Sequence, residues 1–482
     1  MKRSRRELFE AGAAAALAAS LPSSALAAAR ERPNIVLIVV DTLRADHVSA
    51  YGGRARTPSI DALAERGLRF TRFYPEAMAT VPARRSILTG RRVWPFRSWH
   101  EWSGLRHTPG WQPIADPSST FTSALRRAGY WTGYVTDNPF LGFNKYYEPF
   151  RQSFDRFLGI GGQVGRTAPV ESVSRAELDH WLVPELRVDH IEERVRRFLA
   201  AGGYWRDESR SWAARVFNTA AATLDEANAR HPFALVVDTF EPHEPWTPPR
   251  SYVDLYGRAD YRGPEPCMGR YKRTREWLSR ERRGPVVDRM RDLYAAEVTM
   301  TDRWLGAFTA RLDELGLRDQ TVVALVADHG YLLGDHGWTG KIASMLHPEL
   351  VHVPFLLADP RPGRRRGTSG HLAQTHDLGP TLLSLAGVRA PKGMSGADLS
   401  PLTRGGRATE RDIAYGGYAN WLYVRNERFA FISQNHGSGR RLYDTERDER
   451  ERNDIARRHP KRIDELYRLV VRLAGGRPPI YR

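Results

Sequence analysis

Residues 34–40 read Asn-Ile-Val-Leu-Ile-Val-Val, and the run ends on Asp41. A stretch this rich in β-branched residues, with no polar alternation, describes a strand covered on both faces, the kind found in parallel sheets. Three further runs repeat the pattern. Gly133 to Thr136 leads into Asp137-Asn138, Phe233 to Val237 into Asp238 and the loop holding His243, and Val322 to Ala327 into Asp328-His329. Each delivers polar groups at its carboxyl end, the edge at which open α/β sheets bind ligands. Helical patterns separate the strands, as in Ala295 to Leu315, where Val298, Trp304, Leu305, Phe308 and Leu312 recur near a 3.6 period. Thr57-Pro58 opens a short helix through Ala64, with Gly67 as its expected C-cap. The pattern predicts an α/β fold, a large and mostly parallel sheet sandwiched by helices.

At 482 residues the chain can bury a sizeable core. Lys2, Arg3, Arg5 and Arg6 precede an alanine-rich run from Ala11 to Ala19 that is too short to span a bilayer, and Ala25-Leu26-Ala27 and Ala27-Ala28-Ala29 offer cleavage sites. Residues 1–29 are therefore expected to be an export signal, an uncleaved anchor helix being the alternative. Ser4-Arg5-Arg6-Glu7-Leu8-Phe9 resembles the twin-arginine type, which implies export to a bacterial periplasm or beyond. No later segment reaches membrane-spanning length, so stable membrane insertion is not expected. The single cysteine, Cys267, excludes an intramolecular disulfide. A formal net charge of +17 favours anionic substrates or reflects an arginine-rich solvated surface. The basic runs Lys272 to Arg283 and Arg364-Arg365-Arg366 lack regular aromatic interleaving, and nucleic acid is not an expected partner.

The segment Thr80-Val81-Pro82-Ala83-Arg84, continuing to Leu88-Thr89-Gly90, has the marks of a helix. Thr80 is a good N-cap, Pro82 suits a first turn, and Gly90 can end the helix in the left-handed conformation. A helix start attracts anions, with Arg84 one turn in. Capping by Thr80 and nucleophilic attack by its hydroxyl are geometrically compatible. Asp41, Asp328 and His329, all at strand ends, are the candidate metal ligands.

This segment resembles the sulfatase signature C-x-P-x-R-x-x-x-L-T-G at every marked position but the first, where sulfatases carry a Cys or Ser that is oxidised to formylglycine. Asp41-Thr42-Leu43-Arg44-Ala45-Asp46-His47 resembles the D-T-L-R-A-D-H start of one sulfatase branch. Gly334-Asp335-His336-Gly337, with Lys341 downstream, resembles the L-G-D-H or L-G-E-H stretch of sulfatases and phosphonate monoester hydrolases. Glu241-Pro242-His243-Glu244-Pro245-Trp246 resembles the family's P-H-x-P loop, and Thr375 to Leu383 and Leu442-Tyr443-Asp444 look like further landmarks. The resemblance places the chain among the sulfatases of the alkaline phosphatase superfamily.

It implies one divalent metal ion held by Asp41, Thr80, Asp328 and His329. With Thr42 where many sulfatases have a second Asp, and His329 in place of an Asn, manganese or zinc joins calcium as a candidate. It further implies Arg84 near the metal-bound oxygens, Lys341 on the substrate's charged oxygens and His243 as the acid for a leaving alcohol. His336 is either a second acid or a packing group. Asn138 stands near the usual place of a substrate-contacting lysine.

Formylglycine is not expected, since Cys267 lies far from the signature. Threonine has one hydroxyl, so a Thr80 ester would have to be cleared by water. Three readings follow: a metal-dependent hydrolase of sulfate or phosphate esters, aryl or carbohydrate, with Thr80 as direct nucleophile; a catalytically vestigial relative that binds sulfated or anionic glycans; and a metal-independent lectin-like or structural protein. The intact Asp41, Arg84, Asp328, His329 and Lys341 favour the first. The expected organisation is a catalytic domain over 30–400, with an insertion at 142–231, and a small antiparallel-sheet subdomain over 401–482 ending in a helix.

Overall fold

The first apolar run is a strand, β1 (Asn34–Val40), with every residue buried. The computed structural model describes residues 32–102, 105–161, 170–202, 207–257 and 261–481, and the expected export signal lies outside them. Beside β1, the main sheet contains β2 (Leu68–Phe70), β3 (Trp131–Thr136), β4 (Arg156–Gly159), β5 (Phe233–Thr239), β6 (Thr321–Ala327), β7 (Phe355–Ala358) and β8 (Gly367–Ser369). Their order is β8-β2-β7-β6-β1-β5-β3-β4. The four apolar runs, β6, β1, β5 and β3, sit side by side at its centre and are parallel. Only β7 runs against the others, pairing antiparallel with β6 and β2. Asn34 lies opposite Thr321 and Ile35 opposite Ala234, so the carboxyl ends of β1, β5 and β6 emerge together at one edge.

Helices cover the sheet. α1 (Pro58–Glu65), α2 (Thr80–Thr89), α3 (Phe121–Arg127), α4 (Asp189–Ala201), α5 (Trp212–Asn228), α6 (Arg280–Glu314) and α7 (Leu378–Leu385) are the main ones. α1, α5 and α6 pack together, as do α2, α3 and α7. Helix α6 starts at Arg280, well before the expected Ala295, because Ser279 caps it by accepting from the Arg282 amide. Buried Val286, Val287 and Met290 then carry it through Gly284 and Pro285. Gly67 does not end α1 in a left-handed turn. A Cβ there would meet the Leu357 carbonyl oxygen at 2.3 Å, so the glycine is needed where the chain crosses β7.

The 142–231 stretch is only partly an insertion. β4 is an edge strand of the main sheet, and α5 packs on β5 and β3. Among the described residues, no helix is long and apolar enough to cross a membrane.

The C-terminal part forms an antiparallel meander of β9 (Ala414–Tyr418), β10 (Trp421–Arg425), β11 (Phe429–Gln434) and β12 (Arg441–Asp444), covered by α8 (Pro460–Leu473). Leu422, Phe431, Leu442, Leu466 and Val470 make a core of their own with Trp94 and Phe96. This sheet grips the segment leading into α2. Ala77 bridges Gly417, the Met78 amide donates to the Gly417 carbonyl at 3.1 Å, and the Tyr423 hydroxyl donates to the Pro75 carbonyl at 2.6 Å. Gly416 permits this approach, since a Cβ there would lie 2.1 Å from the Glu76 carbonyl oxygen.

Candidate active site

Asp41 follows β1, Asp238 lies near the end of β5, Asp328 and His329 follow β6, and Thr80 opens α2 beside them. All five are buried. Among the described residues, Asp41, Asp328 and His329 are the acidic and imidazole groups close enough to hold a metal, their ligand atoms within 4.8 Å of one another. Thr80 Oγ1 is 3.5 Å from His329 Nε2. The His329 ring is oriented from behind, Nδ1 donating to the Gly330 carbonyl at 3.0 Å, so the Nε2 lone pair faces the carboxylates. Burial holds this imidazole below its usual pKa, in the neutral form a metal ligand needs.

Arg84 binds this corner together. Its Nη1 donates to Asp328 Oδ2 at 2.6 Å and lies 3.0 Å from Asp41 Oδ2, while Nε and Nη2 take the two oxygens of Asp238 at 2.9 and 2.7 Å. Asp238 is fixed in turn by the Tyr134 hydroxyl at 2.8 Å. Three buried carboxylates thus share one guanidinium. The imbalance shows in Asp41, whose carboxyl is pushed well above the usual range by burial and by Asp328, against Arg84. Asp328 goes the other way: against burial, His329, Arg84 and the Thr42 amide hold it down at about 2. Asp41 Oδ2 accepts no hydrogen bond although it is buried. Two acidic oxygens and an imidazole with this excess of negative charge fit a divalent cation.

Thr42 supports both carboxylates, its amide donating to Asp328 Oδ1 at 2.9 Å and its hydroxyl to Asp41 Oδ1 at 2.5 Å. To do so it adopts a φ of 62°, which a β-branched residue rarely tolerates.

The facing wall has the opposite character. Thr80 opens onto a cavity of about 250 Å³ lined by Trp111, Phe140, Arg194, His243, Tyr271 and Lys341 among others. Lys341 Nζ donates to His243 Nε2 at 3.0 Å and to Glu244 Oε2 at 3.1 Å. Arg194, from α4, and the Tyr271 hydroxyl also bond Glu244. Burial would raise the Glu244 carboxyl, but His243, Lys341 and Arg194 hold it well below the usual range. His243 Nδ1 donates to the Glu244 carbonyl at 2.7 Å, and its ring stacks on Phe240 with centroids 4.2 Å apart. Burial, with help from Lys341 and Arg194, pushes its pKa well down despite Glu244.

The fold therefore brings together Asp41, Thr80, Arg84, Asp328, His329, His243 and Lys341. It does not bring His336 with them. That ring stacks on His347 at 3.9 Å, bonds Glu349 at 3.2 Å and lines a separate cavity. Thr80 is the first residue of α2 rather than its cap. Ala79 holds the cap position, leaving the Thr80 side chain turned to His329. Gly90 does end α2 left-handed, at φ 58°. Asn138 caps a short helix at Pro139–Phe143 by accepting from the Phe140 and Leu141 amides. Sequence reasoning missed the roles of Asp238, Glu244, Tyr134 and Arg194. Asp238 carried a usable signal, as a carboxylate closing a buried central strand.

The chain matches known proteins over most of its length. The family model described as Sulfatase matches residues 33–388, and one described as N-sulphoglucosamine sulphohydrolase, C-terminal, matches residues 334–467. An arylsulfatase of Clostridium perfringens is 24% identical over 93% of this chain and 96% of its own length. An N-acetylglucosamine-6-O-sulfatase of Bacteroides thetaiotaomicron is 24% identical over 91% of this chain and 86% of its own. Among solved structures, the phosphonate monoester hydrolase of Agrobacterium radiobacter shares the fold with a TM-score of 0.69, at 21% identity, covering 92% of this chain and 96% of that one.

Proposed function

The chain belongs to the sulfatase family of the alkaline phosphatase superfamily, and on that footing we propose that it is a metal-dependent hydrolase of sulfate esters in which Thr80 is the nucleophile. The observation that carries the reading is the Thr80 hydroxyl, released from any capping duty, 3.5 Å from His329 Nε2 and open to the cavity. Asp41, Asp328 and His329, with Thr80, would hold a calcium, manganese or zinc ion. Such an ion polarises the ester oxygens and acidifies the attacking hydroxyl when bound.

Arg84 offsets the mutual repulsion of the carboxylates and fixes the first turn of α2 through the Thr80 carbonyl, which accepts from Nη1 at 3.3 Å. Lys341 meets the charged ester oxygens from the other wall. His243 is neutral with Nδ1 committed to a backbone carbonyl, so the proton facing the leaving oxygen resides on the Lys341 ammonium, with His243 behind it. His243 then acts through Lys341 rather than as the sole acid. A Thr80 ester has no second hydroxyl to expel sulfate, so water entering from the cavity must clear it.

The relatives act on aryl sulfate and on a sulfated N-acetylglucosamine by their names. A cavity of about 250 Å³ with Trp111 and Phe140 in its wall takes a single aromatic or sugar ring. The structural relative named for phosphonate esters makes phosphorus esters the second class to assay. Residues 1–29 would direct this enzyme out of the cytoplasm, and fusing them to a reporter tests that.

The decisive assay supplies the mature chain with manganese, zinc or calcium and compares aryl sulfate, phosphodiester and phosphonate monoester, with and without Thr80→Ala. Loss of at least about 10³-fold in the variant is expected for a covalent nucleophile. Equal turnover by the variant would reject the assignment, and binding of sulfated glycans without turnover of any ester would mark a vestigial enzyme.

A further inference from the structure

The basic run at 272–283 folds into a concave surface rather than a spread of solvated charges. A cleft of about 520 Å³ lies between this run, the first turns of α6 and the loop at 334–337. Arg273, Arg275, Arg280 and Arg283 line it, and Arg291 closes one side. None of the first four has an acidic partner among the described residues. Arg273 lies over the Trp338 ring at 4.9 Å, and Arg283 Nε is buried without a hydrogen bond. Glu276 and Glu281, the acidic residues of the run, are absent from the lining, and Asp288 is the only carboxylate in it.

Several other arginines are paired, as Arg197 with Glu193, Arg250 with Asp254 and Arg311 with Asp225, and within the run itself Arg282, which does not line the cleft, turns to Glu185. Unpaired guanidinium groups gathered on one concave wall repel each other in the free protein and concentrate field on a bound anion. Their planar donors match the oxygens of sulfate or phosphate groups. The positive end of α6 points the same way.

The cleft adjoins the Thr80 cavity. Arg273 bridges Trp338, and the Thr339 amide donates to the Lys272 carbonyl at 3.1 Å, so the two segments run as a short ladder. Tyr271 and Lys341 at one end of that ladder line the Thr80 cavity, while Arg273 and Gly337 at the other line the cleft. Extended chain advances about 3.3 Å per residue, which separates Tyr271 from Arg273 by about 7 Å. One molecule bearing several negative groups can span both.

We propose that this cleft is a second anion site, which holds one sulfate group of a multiply sulfated oligosaccharide while another of its sulfate esters occupies the Thr80 cavity. Occupancy of the Thr80 cavity by a sulfate ester rests on the hydrolase reading, whereas anion binding in the cleft does not. The site makes the enzyme selective for polyanionic chains over small esters without adding a group to the chemistry.

The test uses the full mature chain with Arg275→Ser and Arg280→Ser combined, two exposed side chains outside the catalytic machinery. Binding of a heparin-derived oligosaccharide is measured calorimetrically in the Thr80→Ala background at about 0.15 M salt. Removal of the two arginines should weaken binding about tenfold and flatten its salt dependence, while Arg275→Lys with Arg280→Lys retains most of it. In the Thr80 enzyme, hydrolysis of a small aryl sulfate should be unchanged by the serine pair. Unchanged oligosaccharide affinity overturns the proposal, and so does a parallel loss of aryl sulfate turnover. Duplex DNA of equal charge binding as tightly, with the same dependence on Arg275 and Arg280, overturns the glycan assignment. Oligosaccharide binding that depends on these arginines in a protein hydrolysing no ester upholds the cleft and rejects the hydrolase reading alone.

Discussion

The two walls around Thr80 are charged in opposite senses. On one, Asp41, Asp238 and Asp328 share the single guanidinium of Arg84. On the other, Glu244 is, among the described residues, the one carboxylate that answers Lys341 and Arg194, with His243 beside it. The first wall is short of positive charge and the second short of negative charge. On the proposed reading, Thr80 would meet an ester drawn both ways, toward a cation held by the acidic side and toward Lys341 on the basic side. Neither imbalance could persist at the protein surface, where water and salt would erase it; burial preserves both.

Breaking the acidic wall should have the largest effect. Arg84→Met leaves three buried carboxylates without their counter-charge and should cost about 3–5 kcal/mol of folding stability, read from urea unfolding. An unchanged midpoint would show that the carboxylates do not depend on Arg84. Adding Asp238→Asn to that variant should recover part of the loss, because it removes the carboxylate that pairs with Arg84 most completely.

A smaller effect sharpens the same wall. Divalent metal at about 100 times its dissociation constant should stabilise the folded chain by about 2.7 kcal/mol, and Asp328→Asn should abolish the gain. Chelation would reverse it. Stabilisation that survives in Asp328→Asn would move the cation elsewhere.

The basic wall should respond separately. Lys341→Met should weaken inhibition by inorganic sulfate about tenfold, close to 1.4 kcal/mol, and leave metal affinity as it was. A change in metal affinity instead would mean that the two walls are one electrostatic unit.

The smallest effect is in pH. The folded pKa of His243 lies well below its unfolded value because burial disfavours the charged ring. Below about pH 6.5 the unfolded chain therefore binds a proton that the folded chain refuses, and stability falls as pH drops, by at most ~1.4 kcal/mol per pH unit for this ring. His243→Gln should flatten that slope in unfolding experiments between about pH 5 and 7. A slope identical to that of the parent chain would show that His243 titrates normally.

Much of this arrangement was legible in the chain. Strand ends betrayed Asp41, Asp328 and His329, because an apolar run that stops on an acidic residue can only present it at the sheet edge. Motif spacing marked Thr80, Arg84 and Lys341. Pairings across the fold were not legible. That Asp238 clamps Arg84, or that Glu244 gathers Lys341, Arg194 and Tyr271, depends on strand order and on where α4 crosses the cavity, neither of which has a local signature. The choice between acid and packing group at His336 was not legible for the same reason: Lys341 lines the Thr80 cavity, whereas Gly334, His336 and Gly337 line other cavities and the His336 ring stacks on His347.

The grip of the C-terminal meander on residues 75–78 bears on how such an enzyme can be recombined. Tyr418, at the end of β9, lines the Thr80 cavity, and Gly416 and Gly417 clasp the chain just ahead of Thr80. A crossover placed near residue 400 would look like a clean exchange of modules between homologues. In this molecule it would replace a wall of the cavity and the support beneath Thr80 in one step. Chimaeras should therefore inherit their specificity from the C-terminal parent as well as from the larger domain, and exchanges that carry residues 73–97 along with the meander should fare better than those that do not.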